Sequence, residues 1–94
     1  MIWAEMITIR SAANGSRKLR LVLQALLLEI RREHDRAAIR WYHREGIDSD
    51  FCILLFHEQA EARAGVSRMG LRLAAALKDF GWVNRIVWVE CDTM

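Results

Sequence analysis

The sequence predicts an α+β domain in which four strands and two helices follow the order β-α-β-β-α-β. Three observations indicate this class: β-branched segments bounded by turn residues, two segments with apolar residues at helical spacing, and a length of 94 residues, which suits one core. A hydrophobic content of 53% and a charged content of 28% exclude a disordered chain. We therefore expect residues 1–94 to form a single domain.

The first half of the chain is predicted to contain a strand, a helix and a second strand. Residues 2–10 are rich in β-branched side chains and precede a turn-like segment at residues 11–16. Residues 37–45 have the alternation of a second strand. Between them, residues 17–34 have the spacing of an amphipathic helix. Its apolar stripe consists of Leu19, Val22, Leu23, Leu26, Leu27 and Ile30.

The second half is predicted to contain a strand, a helix and a last strand. The third strand, residues 51–58, follows a turn at residues 46–49 and is apolar on both faces. The second helix, residues 67–80, is expected to end at Gly81 in a left-handed conformation. The last strand, residues 85–91, is again apolar on both faces. This order is typical of the ferredoxin-like split βαβ fold, an antiparallel four-stranded sheet with both helices on one face.

Two helices cover only one face of such a sheet, so the apolar residues of the other face require a second cover. A sheet with one solvated face alternates apolar and polar residues, and the third and fourth strands do not alternate. We predict that a second copy of the chain covers this face in a symmetric homodimer. An even-length hairpin turn would place the following residues on it: Met6, Thr8, Arg10, Arg40, Tyr42, Ile53, Leu55, His57, Ile86, Trp88 and Glu90.

Apolar side chains with a few polar groups among them suit a dimer interface or a cavity for a small apolar or aromatic ligand, and the interface is favoured. The candidate catalytic residues are Tyr42 and His57; His57 could act as a general base, and the alternative is a partly exposed strand end. The same register makes His43 and Cys52 cross-strand neighbours, a weaker candidate for a nucleophilic pair. The candidate ligand-binding residues are Met6, Thr8, Arg40, Leu55 and Trp88.

Metal, cofactor, nucleic acid and membrane are not expected partners. The three histidines and two cysteines lack the spacing of a metal site, and no phosphate-binding glycine motif is present. Acidic residues are interleaved with the basic ones, and the net charge is only +2. The apolar runs are far too short to span a membrane, and the N-terminus lacks the features of a signal peptide. We expect a cytoplasmic protein with Cys52 and Cys91 reduced.

The element order and the doubly apolar sheet together resemble the dimeric α+β barrel superfamily, which includes antibiotic-biosynthesis-monooxygenase-like proteins, stress-response dimers and haem-degrading enzymes. The resemblance rests on architecture and covers residues 2–91. It implies that two sheets meet face to face and that a ligand can lie in the barrel or between sheet and helices. The haem-degrading members use an Asn on the first strand with a Trp and a His. Here the first strand offers Glu5, Met6 and Thr8, and Asn84 lies in another element.

The predicted function is therefore that of a small dimeric barrel protein with a binding or structural role. One alternative is a cofactor-independent oxygenase or isomerase that acts on a small aromatic substrate through Tyr42, His57 and Trp88. Another is a small-molecule-sensing regulatory module. A deep cavity lined by Tyr42 and His57 would favour the enzyme, whereas a filled and dry interface would favour the structural role.

Overall fold

The computed structural model describes residues 3–12, 16–33, 38–57 and 67–91, and it has the predicted β-α-β-β-α-β order. Within these residues, neither helix is long and apolar enough to cross a membrane. The elements are β1 (Trp3–Ser11), α1 (Ser16–Glu33), β2 (Ala38–Arg44), β3 (Ile47–His57), α2 (Arg68–Leu77), a 3-10 turn (Lys78–Phe80) and β4 (Gly81–Val89).

The four strands form one antiparallel sheet in the order β2-β3-β1-β4. The first strand lies inside the sheet, where Ile7 is paired with Ile53 of β3 and with Arg85 of β4. A strand that is hydrogen-bonded on both sides fixes which of its side chains share a face with its neighbours. The predicted ferredoxin-like fold is confirmed.

The core lies between the sheet and the two helices. The odd-numbered residues of β1 face the helices, since Ile7 and Ile9 are fully buried there against both of them. The first helix buries Leu19, Leu23, Leu27 and Ile30 of its predicted stripe completely, and its Val22 and Leu26 are partly buried. The core residues are Ile7, Ile9, Leu19, Leu23, Leu27, Ile30, Ile39, Phe51, Ile53, Leu55, Leu73 and Leu77.

No helix of the described residues covers the opposite face of the sheet, and we call it the open face. It contains many of the side chains that the sequence assigns to it, with the exception of those on β3. Because β1 pairs odd residues with odd residues of β3, Ile53, Leu55 and His57 lie on the helix-covered face, and their predicted placement is wrong. The open face consists of Met6, Thr8, Arg10, Arg40, Tyr42, Arg44, Asp50, Cys52, Leu54, Phe56, Trp82, Asn84, Ile86 and Trp88.

The β2–β3 hairpin explains this inversion. Its turn has two residues, with Gly46 at a φ of 77°, and Arg44 is paired with Ile47. The next pair, however, joins His43 to Phe51, so a bulge of residues 48–50 separates the two pairs. An odd number of extra residues moves every following side chain of β3 to the other face.

Hydrogen bonds hold this bulge in place. The hydroxyl of Ser11 donates to the carbonyl oxygen of Ser49 at 3.0 Å, and Arg10 donates to the carboxylate of Asp50. The bulge places Tyr42 opposite Cys52 and His43 opposite Phe51. The predicted pairing of His43 with Cys52 is therefore wrong, because the two side chains lie on opposite faces.

Two strands extend beyond their predicted bounds, and two predicted features lie outside the described residues. The third strand begins at Ile47 rather than at residue 51, and the fourth begins at Gly81 rather than at residue 85. Gly81 has an extended φ of 164°, so the expected left-handed helix end is wrong. A side chain at this position would overlap the carbonyl oxygen of Arg10 in the adjacent strand. The connection at residues 59–66 and His34 are not among the described residues.

Candidate functional site

A buried carboxylate lies at the centre of the helix-covered face. Glu5 of β1 shares this face with Trp3, Ile7 and Ile9, and its side chain is 0% exposed. Among the described residues, it is the only acidic or basic side chain that the fold buries completely. An ionised carboxylate in such surroundings must be paired, because the loss of hydration is otherwise very costly.

Two side chains from the neighbouring strands pair with this carboxylate. Arg85 of β4 donates from Nε to Oε2 of Glu5 at 2.8 Å, and its Nη2 lies 2.6 Å from the same oxygen. His57 of β3 contacts Oε1 through Nε2 at 2.7 Å. Both are diagonal neighbours of Glu5, since Arg85 is paired with Ile7 and His57 with Trp3. We call Glu5, His57 and Arg85 the Glu5 cluster.

An aromatic ring packs against the face of the His57 imidazole. The ring of Trp3 stacks on it, with centroids 4.1 Å apart and an interplanar angle of 24°. Trp3 is itself buried. The orientation of the imidazole is thus determined by both the stacking and the contact with the carboxylate.

The second helix passes directly over the cluster at Gly70. The backbone N–H of Gly70 donates to the hydroxyl of Ser67, the N-cap residue, at 3.0 Å. A β-carbon at position 70 would overlap Oε2 of Glu5. The absence of a side chain at this position therefore allows α2 and the carboxylate to approach each other.

We expect Gly70→Ala to destabilise the fold by about 1–3 kcal/mol, because Glu5 is held by two partners and cannot move aside freely. Alanine alone would favour the helix by about 0.5–1 kcal/mol, so the sign of the effect is diagnostic. Urea unfolding of both proteins measures it. A stabilised Gly70→Ala variant would show that Glu5 does not pack against α2.

The Glu5 cluster has the chemical features of a proton acceptor. A neutral imidazole that carries its proton on Nε2 donates to Glu5 and keeps a free acceptor lone pair on Nδ1. The side chain of His57 is 20% exposed, whereas that of Glu5 is fully buried. The histidine is thus the member of the pair that an incoming molecule can reach.

A second concave region lies on the open face, and we call it the open-face cleft. Its volume is about 720 Å³, within the range of small-ligand sites. Tyr42 of β2 and Trp82 of β4 line it from the two edge strands of the sheet. The remaining lining includes Thr8, Arg10, Arg44, Asp50, Cys52 and Asn84.

Ion pairs occupy one end of the open-face cleft. Nε of Arg10 and Nη1 of Arg44 each lie 3.3 Å from an oxygen of Asp50. Desolvation opposes the charged form of Asp50, but the hydrogen bonds from Arg10, Ser49 and Arg44 outweigh it and hold the pKa of the carboxyl below its ordinary value. Burial raises the pKa of the Cys52 thiol, so this cysteine is not an activated nucleophile.

The structure separates the residues that the sequence groups into one site. Tyr42 and Trp88 lie on the open face, and His57 lies on the helix-covered face, so these three residues do not form one site within a subunit. Leu55 belongs to the core and is not available to a ligand on the open face. Among the ligand-binding candidates, Thr8 lines the open-face cleft. The other three, Met6, Arg40 and Trp88, lie on the open face outside its lining.

Sequence reasoning missed Glu5 and Arg85 as site residues. The signal for Glu5 is present in the sequence, because this acidic residue occupies an odd-numbered position of the first strand, on the same side as Trp3, Ile7 and Ile9. A charged residue on the buried side of a strand requires a partner, and the partner itself is visible only after the strands are paired. Within the described residues, no three His, Cys, Asp or Glu side chains come together as a metal site.

The sequence of this chain matches no family model and no curated protein. Its fold matches several solved structures at low sequence identity. Rv0793 from Mycobacterium tuberculosis superposes with a TM-score of 0.70 and 15% identity, over 98% of this chain and 97% of that one. SnoaB, a cofactor-independent oxygenase from Streptomyces nogalater, gives 0.61 and 10%, over 99% of this chain and 96% of that one.

A candidate antibiotic biosynthesis monooxygenase from Deinococcus radiodurans gives a TM-score of 0.61 and 13% identity, over 100% of this chain and 96% of that one. These similarities confirm, at the level of the fold, the resemblance to the antibiotic-biosynthesis-monooxygenase-like proteins. At these identities, the likeness shows the fold and does not transfer a reaction.

Proposed function

We propose that the protein is a homodimer whose two open faces pack together and whose open-face cleft binds a small aromatic molecule. The observation that carries this proposal is the exposure of large apolar side chains on one sheet face. Trp82 is 74% exposed, Trp88 58% and Tyr42 49%, and Phe56 and Ile86 of the same face are also exposed. Monomeric proteins rarely leave a contiguous patch of this kind in water.

The size of the face suits a second copy of the chain. Strands of nine residues are roughly 30 Å long, and four strands about 4.8 Å apart give a face of roughly 500–600 Å². Two such faces bury roughly 1,000–1,200 Å² in total, which reaches the lower bound of specific interfaces. Association through the same face in both copies is isologous and closes at two subunits.

The walls of the cleft indicate what kind of molecule it can bind. Tyr42 and Trp82 present aromatic rings from the two edge strands, and Thr8 and Asn84 supply hydrogen-bonding groups between them. Aromatic walls with a few polar groups favour a flat and largely apolar ligand. The cleft opens to solvent in one subunit, and the second sheet would close it.

Sedimentation velocity at about 1–100 µM tests the association. We expect a dimer of twice the 10.9 kDa subunit mass at micromolar concentration or below. Ile86→Arg on the open face should dissociate it, because an unpaired guanidinium would be buried next to the apolar side chains of Met6 and Leu54 at the contact between the copies. Leu21→Arg is the matched control, since Leu21 is exposed on α1. A monomer at the highest concentration, or an equal response of both variants, would contradict the dimer.

Fluorescence titration with 2-naphthol tests the ligand site. We expect Trp82→Leu to weaken binding at least about tenfold. The stacking of a flat nucleobase on an aromatic side chain is worth about 1–3 kcal/mol, and the naphthol ring stacks in the same way. The dimer should persist in this variant. Trp3→Leu is unsuitable as a control because Trp3 is in the core, so Leu71→Ala on the exposed side of α2 serves instead. Unchanged affinity in Trp82→Leu would contradict the location of the site.

A further inference from the structure

We infer that the Glu5 cluster is a proton-transfer site, in which Nδ1 of His57 removes a proton from a weakly acidic C–H or O–H of a small organic molecule. This site is independent of the open-face cleft, because the two lie on opposite faces of the sheet. It requires residues of a single subunit only.

The geometry of His57 is that of a positioned base. Its Nε2 lies 2.7 Å from Oε1 of Glu5, and the stacked ring of Trp3 restricts rotation of the imidazole. Within a five-membered imidazole, a proton on Nε2 leaves the lone pair of Nδ1 free and directed away from the carboxylate. A base that is oriented in this way needs no rearrangement when it accepts a proton.

The charges of the cluster suit the product of proton abstraction. In the form of the cluster with a neutral imidazole, the charges of the Glu5 carboxylate and the Arg85 guanidinium cancel. After proton uptake the cluster carries one positive charge, next to a substrate that has become an anion. Because Glu5 is fully buried, both the stabilisation of the imidazolium and the attraction for the anion act at low dielectric.

Stability alone does not account for a charged cluster at this place. The neighbouring residues of the same face of β1 are apolar, and a buried ionic cluster is seldom more stable than a well-packed apolar one. Clusters of ionisable groups that are only partly reachable from solvent are typical of functional sites. Here Glu5 is inaccessible, while His57 and Arg85 are 20% and 22% exposed.

The surroundings limit the class of substrate. Among the described residues, the imidazole that carries the reactive nitrogen is stacked on the apolar ring of Trp3. A compact molecule with an apolar body and one activated C–H, such as a carbon next to a carbonyl group, suits this neighbour better than a polar or strongly charged one.

The reaction is balanced without any further reagent. The C–H bond breaks, its electron pair remains on the substrate as an enolate, and the proton moves to Nδ1 of His57. Where a carbon–carbon double bond of the substrate is conjugated with the enolate, return of the proton from Nδ1 to the far carbon of that dienolate moves the double bond, completes an isomerisation and restores the neutral imidazole. His57 is the catalytic residue of this site, and Glu5 and Arg85 are positioning residues.

The Kemp elimination of 5-nitrobenzisoxazole tests the base directly. In this probe, a base removes the C–H proton, the electron pair forms a nitrile, and the N–O bond breaks to release a coloured phenolate. We expect the intact protein to exceed His57→Gln by about a hundredfold in rate, the lower end of general-base contributions. The control is Glu29→Gln, because the Glu29 side chain is 56% exposed on α1 and lies outside both the cluster and the open-face cleft. Equal rates for the intact protein and His57→Gln would overturn the proposal.

Nitrogen-15 NMR of the imidazole provides a readout that does not depend on turnover. We expect the neutral His57 to carry its proton on Nε2 in the intact protein. In Glu5→Gln, the side-chain amide can donate to Nε2, so the proton should move in part to Nδ1 and the Kemp rate should fall. A proton on Nδ1 in the intact protein would overturn the proposal, because the reactive lone pair would then face Glu5.

Discussion

Leu23→Asp is expected to abolish cooperative folding. Leu23 is 0% exposed in the middle of the buried stripe of α1, with Leu19 and Leu27 one turn away on either side. The loss of the leucine alone costs about 2–5 kcal/mol, and an unpaired carboxylate in the core costs more. Because the free energy of unfolding of a small domain is only about 5–15 kcal/mol, the two losses together remove a large part of it.

The same helix provides a matched control two positions away. Leu21 is 61% exposed, so Leu21→Asp makes the same chemical change outside the core and should shift the stability by no more than about 0.5 kcal/mol. Far-ultraviolet circular dichroism with thermal and urea unfolding compares the two variants. The burial of the stripe would be contradicted by a Leu23→Asp protein that melts like the control.

Glu5→Met is expected to lower the free energy of unfolding by about 3 kcal/mol. The change leaves the guanidinium of Arg85 without the carboxylate that it contacts through two nitrogens. Removing one partner of a buried ion pair costs about 3–5 kcal/mol, and we expect the lower end because the Arg85 side chain remains 22% exposed. His57 loses its partner as well.

A double-mutant cycle separates the charge effect from packing. In Glu5→Met with Arg85→Met, the buried charge is gone, so we expect the loss to be smaller than the sum of the two single losses by about 1–3 kcal/mol. Urea unfolding of the four proteins gives this coupling. Additive losses would mean that the carboxylate and the guanidinium do not stabilise each other.

The periodicity of the sequence was sufficient to predict the fold. The leucine spacing of residues 17–34 indicates an amphipathic helix, and α1 is observed at Ser16–Glu33. Such patterns are local, because a helix or strand needs only a few neighbouring residues to show which side is apolar. The open face of β4 is likewise correct, since Ile86 and Trp88 alternate with the inward Val87.

The alternation of apolar and polar residues could not predict the register of the third strand. The third strand is apolar on both faces, so its sequence does not indicate which of Leu54 and Leu55 faces the helices. A bulge at residues 48–50 decides the question, and it is held by contacts with Ser11 and Arg10 of a distant strand. The candidate site depends on this register, because it places His57 beside Glu5 on the helix-covered face instead of on the open face with Tyr42.

The sequence by itself determined the class of the domain, the order of its elements, the buried stripe of each helix and the surplus of apolar residues on the sheet. Each of these properties depends on residues that are close together in the chain. The tertiary structure alone decided which side chains meet across strands: the pairing of Glu5 with His57 and Arg85, and the approach of Gly70. The contacts of Glu5 with His57 and Arg85 join residues 52 and 80 positions apart, and only the assembled sheet brings these residues within hydrogen-bond distance.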